Sequence, residues 1–350
     1  MNEAFLEIIR ADDETRRALF LGASHRLGMA IGNVEKDFWT SWTLDALFNG
    51  LPVGGPRLLF KGGTALSKAY GLIEHFSEDV DITVFRDDLG QRASVEDLEA
   101  LGTRKRQARL DAIKTACQAY LNGPLLTALG TLTRQIMPDT AAPSDEARVV
   151  PDASDPDRQT LLFWYPSVVG EPGSYVRPAV KIESGAKSAL EPHRPMVIVP
   201  YVAADVPRLD LRVPNVTTVE PERTFWDKVV ILHGLRRWFE RRGVLRQGGQ
   251  RVSRHYYDVS RLAASEVARR ALDDRALARD CARHARLFFR SADLDLDHAV
   301  PGTFALTPTG PMLDALRRDY AAMAGMIFGE VPGFAAIIAD IAEIEQRVNA

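Results

Sequence analysis

The chain has 350 residues, of which 46% are hydrophobic and 26% are charged, a composition typical of a folded protein with one large domain or two ordinary ones. The formal net charge of −3 provides no overall basic field, so any contact with nucleic acid has to use a local patch. The cysteines show no C-x-x-C spacing, and we find neither a signal peptide nor an apolar run that would span a membrane, so we expect a cytoplasmic protein.

The first 218 residues alternate between helical and strand-like patterns. Apolar residues recur at helical spacing in some segments, whereas short apolar or β-branched runs stand between turn residues in others. The predicted helices lie within 1–50, over 64–75 and over about 94–136. The predicted strands cover 57–60, 80–85, 160–166, 177–184 and 196–203. An exposed loop rich in Pro, Asp and Ala is predicted over 137–158.

From Pro221 onward the pattern is helical, and it ends with two helices near 311–328 and 332–348. We therefore predict an α+β fold with two parts. A mixed sheet with flanking helices is expected over residues 1–218. A C-terminal helical bundle is expected over residues 219–350.

The segment FKGGTALSKAYGLIEHFSEDVDITVF, residues 60–85, places a Gly-Gly-Thr turn between a strand and a helix. It is not a P-loop, because Gly62 and Gly63 are adjacent, and it has no G-x-G-x-x-G pattern. The two glycines allow a sharp turn with positive φ and a close approach by a ligand. Thr64 is a good N-cap for a helix whose free N–H groups favour an anion. Such a turn taken alone is more often structural than functional.

Two aspartates follow that helix at the start of the next strand. Asp79 and Asp81 occupy alternate positions, so both side chains leave the same face. Their negative charges repel each other, and a divalent cation such as Mg²⁺ relieves the repulsion. A solvated strand end is the alternative interpretation. The phosphate-type turn one helix earlier favours the metal site.

This order of strand, Gly-Gly-[Ser/Thr], helix and Asp-x-Asp strand resembles the nucleotidyltransferase fold of the DNA polymerase β superfamily. With VEKDFWTSWTL, RTFWDKVVILH and RHYYDVSRL added, the pattern resembles the AbiEii-type nucleotidyltransferase toxins of bacterial toxin–antitoxin and abortive-infection systems, over about residues 34–265. The resemblance implies Mg²⁺-dependent transfer of NMP from an NTP to an RNA, most often the tRNA 3′ end, with release of pyrophosphate. It also implies an AbiEi-like antitoxin as partner.

Two other functions stay open beside this one. The first is the same transfer to a hydroxyl group of a small molecule or a protein. The second is a nucleotide-binding module without catalysis. Retention of both Asp79 and Asp81 speaks against the second, because binding alone tolerates the loss of one carboxylate.

The predicted strand PAVKIES offers a further carboxylate. Its alternation places Val180 and Ile182 on one face, and Lys181 and Glu183 on the other. Glu183 is a candidate third metal ligand, and Lys181 is a candidate phosphate contact. An ordinary edge strand with its polar side in water is the alternative.

Two charged residues occupy inward-facing positions of the C-terminal helices. Lys228 shares the apolar stripe of Phe225 and Leu232, and therefore needs an anionic partner, either a nucleotide phosphate or a carboxylate. Asp258 shares a face with Leu262, so that the two charges are also candidates for a structural salt bridge. The family resemblance implies that both belong to the active site, since they are the positions that match its later motifs.

Arginines are concentrated over residues 236–254, with Trp238 and Phe239 among them. In a chain of net charge −3 this local excess favours a contact with an RNA backbone or a triphosphate. A solvated helix end and loop is the alternative. The candidate RNA-binding residues are Arg236, Arg237, Arg241 and Arg242.

These interpretations define one predicted site, with Mg²⁺ as its metal and an NTP as its substrate. Asp79, Asp81 and Glu183 are the predicted metal ligands. Asp79, Asp81, Lys228 and Asp258 are the predicted catalytic residues. The predicted nucleotide-binding residues are Lys61, Gly62, Gly63, Thr64, Lys68, Lys181 and Lys228.

Overall fold

The computed structural model describes residues 1–75, 79–136, 148–169, 177–246 and 251–350. The chain divides into two compact units. The first unit consists of Met1–Ala69, Ser77–Ala93 and Gln107–Thr218, and the second consists of Tyr70–Phe76, Ser94–Arg106 and Val219–Ala350. Two short segments from the N-terminal half of the chain thus belong to the second unit.

The first unit is built on a seven-stranded sheet, and the predicted α+β class is confirmed. The strands are β1 Leu58–Lys61, β2 Asp79–Val84, β3 Arg148–Pro151, β4 Thr160–Trp164, β5 Ala179–Gly185, β6 His193–Ile198 and β7 Val213–Val219. Their order is β3-β4-β5-β2-β1-β7-β6. β1 runs antiparallel to β2 and parallel to β7, and β2 runs parallel to β5, so the sheet is mixed as predicted.

The helices are α1 Ala4–Ile9, α2 Asp13–Leu27, α3 Ile31–Asp45, α4 Gly62–Lys68, α5 Val95–Glu99, α6 Thr103–Tyr120, α7 Leu126–Ile136, α8 Pro221–Arg242, α9 Ser253–Ala263, α10 Glu266–Asp273, α11 Arg275–Phe288, α12 Pro311–Met323 and α13 Phe334–Asn349. Across the described ranges, no helix combines the length and the apolar character that a membrane span requires.

One face of the sheet in the first unit forms the core. Val80 and Ile82 of β2 and Val180 and Ile182 of β5 are all fully buried. Helix α3 packs over this side, and its Trp42 ring lies 5.0 Å from the ring of Phe163 in β4. Each such apolar side chain contributes roughly 1.5–3 kcal/mol by leaving water. The opposite face of β2 and β5 is left to polar residues.

The second unit contains the helices α8–α13, as the sequence predicts. Helix α8 begins with Pro221 in its first turn and ends at Arg242, and the following Gly243 adopts the left-handed conformation with φ of 68°. The indole N–H of Trp226 on α8 donates to the carbonyl of Ala271 on α10 at 2.9 Å. The helical pattern of RHYYDVSRLAASEVARR, residues 254–270, falls on two helices, because Ser265 caps α10 through the N–H of Val267.

Other predicted bounds were wrong. The helix predicted over 64–75 ends at Lys68, and Gly71 then takes a φ of 63° that no helix continues. The helix predicted over 94–136 is three helices, with Pro124 inside a π-helical segment at Leu121–Leu125. Of the loop predicted over 137–158, residues 148–151 form β3, and residues 137–147 lie outside the described part. Strand β7 was not predicted at all.

Candidate active site

Charged residues form two rows across the central strands β1, β2 and β5 of the first unit. In one row, Asp81 lies opposite Lys61 of β1 and opposite Glu183 of β5. In the other row, Asp79 lies opposite Lys181. Because residues two apart on a strand share a face, all of these side chains leave the same side of the sheet. We call this set of residues (Lys61, Asp79, Asp81, Lys181 and Glu183) the charged face.

The lysines of the charged face lie against its carboxylates. Nζ of Lys61 is 3.8 Å from Oδ1 of Asp81, and Nζ of Lys181 donates a hydrogen bond to Oε1 of Glu183. The side chains of Lys181 and Glu183 are 37% and 42% exposed, so the face is open to solvent. Partial burial acts to lower the pKa of Lys181, but the hydrogen bond to Glu183 and the charges of Glu183 and Asp79 outweigh it and raise that pKa. Lys181 is therefore a cation at neutral pH.

Gly62 lets the carboxylate of Asp81 approach the start of α4. Its φ is 80°, and a Cβ at this position would meet Oδ2 of Asp81 at 2.1 Å. The backbone conformation and the contact both require glycine. The predicted positive φ is confirmed for Gly62, and Asp81 is brought to the Gly-Gly-Thr turn.

Thr64 has a different role from the predicted N-cap. Helix α4 begins at Gly62, and Lys61 occupies the N-cap position without a side-chain hydrogen bond to the helix. The Thr64 hydroxyl is buried and donates to the carbonyl oxygen of Asp79 at 2.5 Å. Thr64 thus ties α4 to the first residue of β2. The N-cap prediction was wrong because the helix starts at the glycines themselves.

The donor chemistry of the charged face fits a hard divalent cation. Asp79, Asp81 and Glu183 offer carboxylate oxygens, the ligands that Mg²⁺ prefers. Asp81 and Glu183 are direct neighbours across two strands, and Asp79 is two residues from Asp81 on the same face. Among the residues that the structure describes, no three His, Cys, Asp or Glu side chains are gathered closely enough to hold a metal ion. The three carboxylates share a face but do not converge on one point, and lysines contact two of them, so a bound cation would require these side chains to turn toward each other.

Lys68 is engaged in another part of the first unit. Its Nζ donates to Oδ1 of Asp37 on α3 at 2.6 Å and to the carbonyl of Val199 at 2.8 Å. The same Nζ lies 4.2 Å from the centre of the Tyr201 ring. With side-chain exposures of 3% and 4%, Lys68 and Asp37 form a buried ion pair between α4 and α3. This buried pairing does not fit the predicted nucleotide contact of Lys68.

The second unit contains a buried triad of hydrogen-bonded side chains, Lys228, Asp258 and His75. Nζ of Lys228 donates to Oδ2 of Asp258 at 2.7 Å, and Oδ1 of Asp258 lies 2.9 Å from Nε2 of His75. The inward-facing positions predicted for Lys228 and Asp258 are confirmed, and the anionic partner of Lys228 is the carboxylate. Burial acts to raise the pKa of Asp258, but Lys228 and His75 outweigh it and hold that pKa well below its ordinary value.

His75 is the member of the triad that sequence reasoning missed. It pairs with Ile327 in an isolated antiparallel bridge, and its ring packs edge-on against Tyr257 with 5.6 Å between the centroids. The one cue in the sequence was its place between the Gly-Gly-Thr turn and the aspartates, in a segment wrongly predicted to be helical. His255, three residues before Asp258 on α9, has a pKa well below its ordinary value because of burial and the charge of Lys228.

The arginines of α8 are paired with acidic side chains of the second unit. Arg236 and Arg237 contact Glu240 at 2.7 and 2.9 Å, Arg241 lies 3.7 Å from Asp295, and Arg242 contacts Asp293 at 2.6 Å. These ion pairs offset the local positive charge that the sequence indicates. Part of the predicted patch, residues 247–250, lies outside the described part of the chain.

Comparisons with known proteins give one family. The family described as "Nucleotidyl transferase AbiEii toxin, Type IV TA system" matches residues 45–340, a range that includes every candidate site residue. Among solved structures, the chain is similar to MenT4, a nucleotidyltransferase toxin from Mycobacterium tuberculosis H37Rv, with 16% identity and a TM-score of 0.48. That match covers 95% of this chain and 89% of the other. No curated protein matches the chain.

Proposed function

The chain belongs to the AbiEii family of nucleotidyltransferase toxins, and from that premise we propose that it transfers NMP from an NTP to an RNA in a Mg²⁺-dependent reaction. The tRNA 3′ end is the proposed acceptor, and pyrophosphate is the proposed second product. The observation that carries the proposal is the register of β2 and β5. It sets Asp81 directly opposite Glu183, on the face shared with Asp79 and next to Gly62.

The residues of the charged face have separate tasks in this proposal. Asp79, Asp81 and Glu183 would hold Mg²⁺, which when bound lowers the pKa of an attacking hydroxyl and neutralises charge on the departing pyrophosphate. Lys61 and Lys181 provide positive charge beside these carboxylates for the β- and γ-phosphates. The turn at Gly62, Gly63 and Thr64 is the proposed contact for these phosphates, which would approach beside the Asp81 carboxylate that lies against Gly62. Positioning and electrostatics supply most of the acceleration in such a transfer.

A role of Lys228 and Asp258 in the reaction rests on the family resemblance. We propose that Asp258 holds the amino group of Lys228 in one orientation, since the carboxylate accepts from Lys228 while its other oxygen faces His75. We also propose residues 1–218 as the nucleotidyltransferase domain and 219–350 as a helical domain that contributes to the reaction. An AbiEi-like antitoxin is the proposed partner, and the cytoplasm, where NTPs and tRNA are found, is the proposed location.

Two classes of acceptor are candidates: an RNA, and a hydroxyl group of a small molecule or a protein. Because acidic side chains pair with Arg236, Arg237, Arg241 and Arg242, these arginines give weaker support to an RNA acceptor than their sequence indicates. This observation favours, as a second candidate, transfer to a hydroxyl group of a small molecule or a protein by the same charged face.

The test is to incubate the full chain with each of the four α-³²P-labelled NTPs, MgCl₂, total tRNA and, in parallel, total protein or a set of aminoglycosides. We expect label in RNA. We expect Asp81→Asn to reduce this labelling by about 100-fold or more, because each tenfold loss in rate needs only about 1.4 kcal/mol of lost transition-state stabilisation. Asp87→Asn, an exposed carboxylate just beyond the end of β2, is the matched control and should keep full activity.

Each other outcome points to a different function. Label in protein or in an aminoglycoside supports the second candidate. Nucleotide binding without transfer to any acceptor supports a binding module. Label in RNA that survives Asp81→Asn removes the charged face from the reaction.

A further inference from the structure

The lysines of the charged face lie where they compete with a metal ion for the same carboxylates. Lys61 faces Asp81 across β1 and β2, with 3.8 Å from Nζ to Oδ1. Lys181 donates to Glu183, two residues along its own strand, and lies opposite Asp79. Each lysine thus has as its neighbours the groups that are proposed as metal ligands.

The charge of this face decides which ligand it attracts. The three carboxylates and two ammonium groups of the charged face sum to −1, and Asp152 and Asp155, whose carboxylates also act on Lys181, add negative charge nearby, which repels a triphosphate. One divalent cation raises the charge of the five-residue set to +1. The lysines then lose their partners to the metal and become available to a polyanion. Lysine suits such an exchange because its ammonium group ends a flexible stem.

We propose that Lys61 and Lys181 neutralise the carboxylates of the charged face before the metal binds, and that the divalent cation displaces them onto the nucleotide phosphates. This inference rests on the proposed function and adds the order of events at the charged face. The metal ion first takes the carboxylates, and the lysines then contact the phosphates. Metal and nucleotide bind synergistically, because each removes a charge that opposes the other. The coupling is reciprocal, so the nucleotide must strengthen metal binding by the same factor.

The exchange is reversible because the pairs are open to solvent. Lys61 and Asp81 are 31% and 23% exposed, and Lys181 and Glu183 are 37% and 42% exposed. Ion pairs of this kind are weak, so a divalent cation with several carboxylate ligands can replace them. The buried pair of Lys68 and Asp37 in the same unit shows the contrast, since it has no such access to water.

The experiment measures Mn²⁺ binding without activity. Free Mn²⁺ is followed by EPR for the wild-type full chain and for Lys181→Met and Lys181→Gln, without nucleotide. We expect both variants to bind Mn²⁺ roughly three- to tenfold more tightly, because a competing and repelling charge is gone. Lys61→Met should give a smaller gain in the same direction. Lys114→Met, which breaks the surface pair of Lys114 with Asp157 at 2.5 Å, is the matched control and should change nothing.

Nucleotide binding is then measured with the α,β-methylene analogues of the four NTPs at saturating Mn²⁺. We expect Lys181→Met to weaken the analogue that binds by about tenfold, and to reduce the mutual strengthening of metal and nucleotide. A variant that binds Mn²⁺ more tightly and the nucleotide analogue more weakly is still folded, so misfolding does not produce this combination.

Two failures are distinguishable. If the wild type binds no more Mn²⁺ than Asp81→Asn, the proposed metal site is wrong and the inference falls with it. If Asp81→Asn abolishes Mn²⁺ binding while the Lys181 variants show unchanged or weaker binding, the metal site stands. The role of the lysines is then wrong.

Discussion

Oδ2 of Asp81 occupies the space that a side chain at position 62 would need, since a Cβ there would lie 2.1 Å from it. Gly62 also has a φ of 80°, a conformation that strains any other residue. The turn and the second aspartate of the Asp-x-Asp strand are therefore fixed against each other by one contact. A side chain added at Gly62 would therefore have to displace the carboxylate of Asp81.

We predict that Gly62→Ala disables the enzyme as well as destabilising it. The positive φ costs about 1–3 kcal/mol, and the added methyl group must in addition displace the Asp81 carboxylate. We expect the free energy of unfolding in urea to fall by at least the strain term. Transfer of label from NTP should fall by at least about tenfold, the result of about 1.4 kcal/mol lost from the transition state.

Gly54→Ala is the matched control for this change. Gly54 has a φ of 88°, but a Cβ there would meet no atom within 4 Å. Gly54→Ala should therefore lower the free energy of unfolding through backbone strain and leave the activity unchanged. Equal losses of activity in the two variants would mean that the contact with Asp81 has no part in the reaction.

The buried triad of the second unit predicts an asymmetric response to mutation. Asp258→Asn removes the carboxylate that both Lys228 and His75 contact, whereas Lys228→Met leaves Asp258 in contact with His75. Breaking a buried ion pair from one side costs roughly 3–5 kcal/mol, so Asp258→Asn should reach this range in urea unfolding. Lys228→Met should cost less. The double variant should be less destabilised than the sum of the singles, because the pair is removed as a whole.

The surface pair of Lys114 and Asp157 serves for comparison, since its side chains are 31% and 61% exposed. Lys114→Met should cost less than about 1 kcal/mol. A near-neutral Asp258→Asn would show that the triad does not stabilise the second unit. A stable but inactive Asp258→Asn would assign the carboxylate to the reaction.

Residues of the charged face were predictable one strand at a time. The period of two in DVDITV and VKIES places Asp79 with Asp81 and Lys181 with Glu183, and the structure confirms both pairs of neighbours. The register between the two strands was not predictable. It depends on backbone hydrogen bonds between segments about a hundred residues apart, which no local pattern encodes.

The errors also have local causes. Strand β7 went unrecognised because Pro214 and Asn215 indicate a turn, and Asn215 indeed has a φ of 58° inside the strand. The helix after the glycine turn was extended too far because apolar residues continue at helical spacing past Gly71. As a result His75 was placed on a helix, and its contact with Asp258, 183 residues later, was missed.

His233 predicts a loss of stability in mild acid. It is fully buried on α8, its Nδ1 accepts from the N–H of Ala305 at 3.1 Å, and its Nε2 lies 3.2 Å from the carbonyl of Asp295. These partners suit the neutral ring. Burial, opposed by the Asp295 carbonyl and aided by the charge of Arg237, lowers the pKa of His233 to about 4.

The pKa of His233 differs between the folded and the unfolded chain, and this difference sets the direction in which stability changes with pH. The unfolded chain takes up the proton near pH 6.5, while the folded chain resists it down to about pH 4. Stability from the neutral ring is complete above pH 6.5 and is lost as the pH falls toward 4, up to about 3 kcal/mol in total. In urea unfolding at several pH values, the difference between wild type and His233→Gln should shrink across this window. A difference that is the same at every pH would contradict the prediction.

Because acidic side chains pair with the arginines of α8, we predict that these arginines contribute little to RNA binding. Arg242 contacts Asp293, so Arg242→Gln removes a charge that is already offset. We expect tRNA affinity in filter binding to fall less than about twofold, and the salt slope to change by clearly less than one, the value expected for a lost phosphate contact. Glu240→Gln should tighten binding, because it removes the negative charge that Arg236 and Arg237 share. Arg317→Gln, from an exposed pair with Asp314 on α12, is the control. If Arg242→Gln lowers the slope by a full unit while the control does not, the arginine exchanges Asp293 for a phosphate when RNA binds.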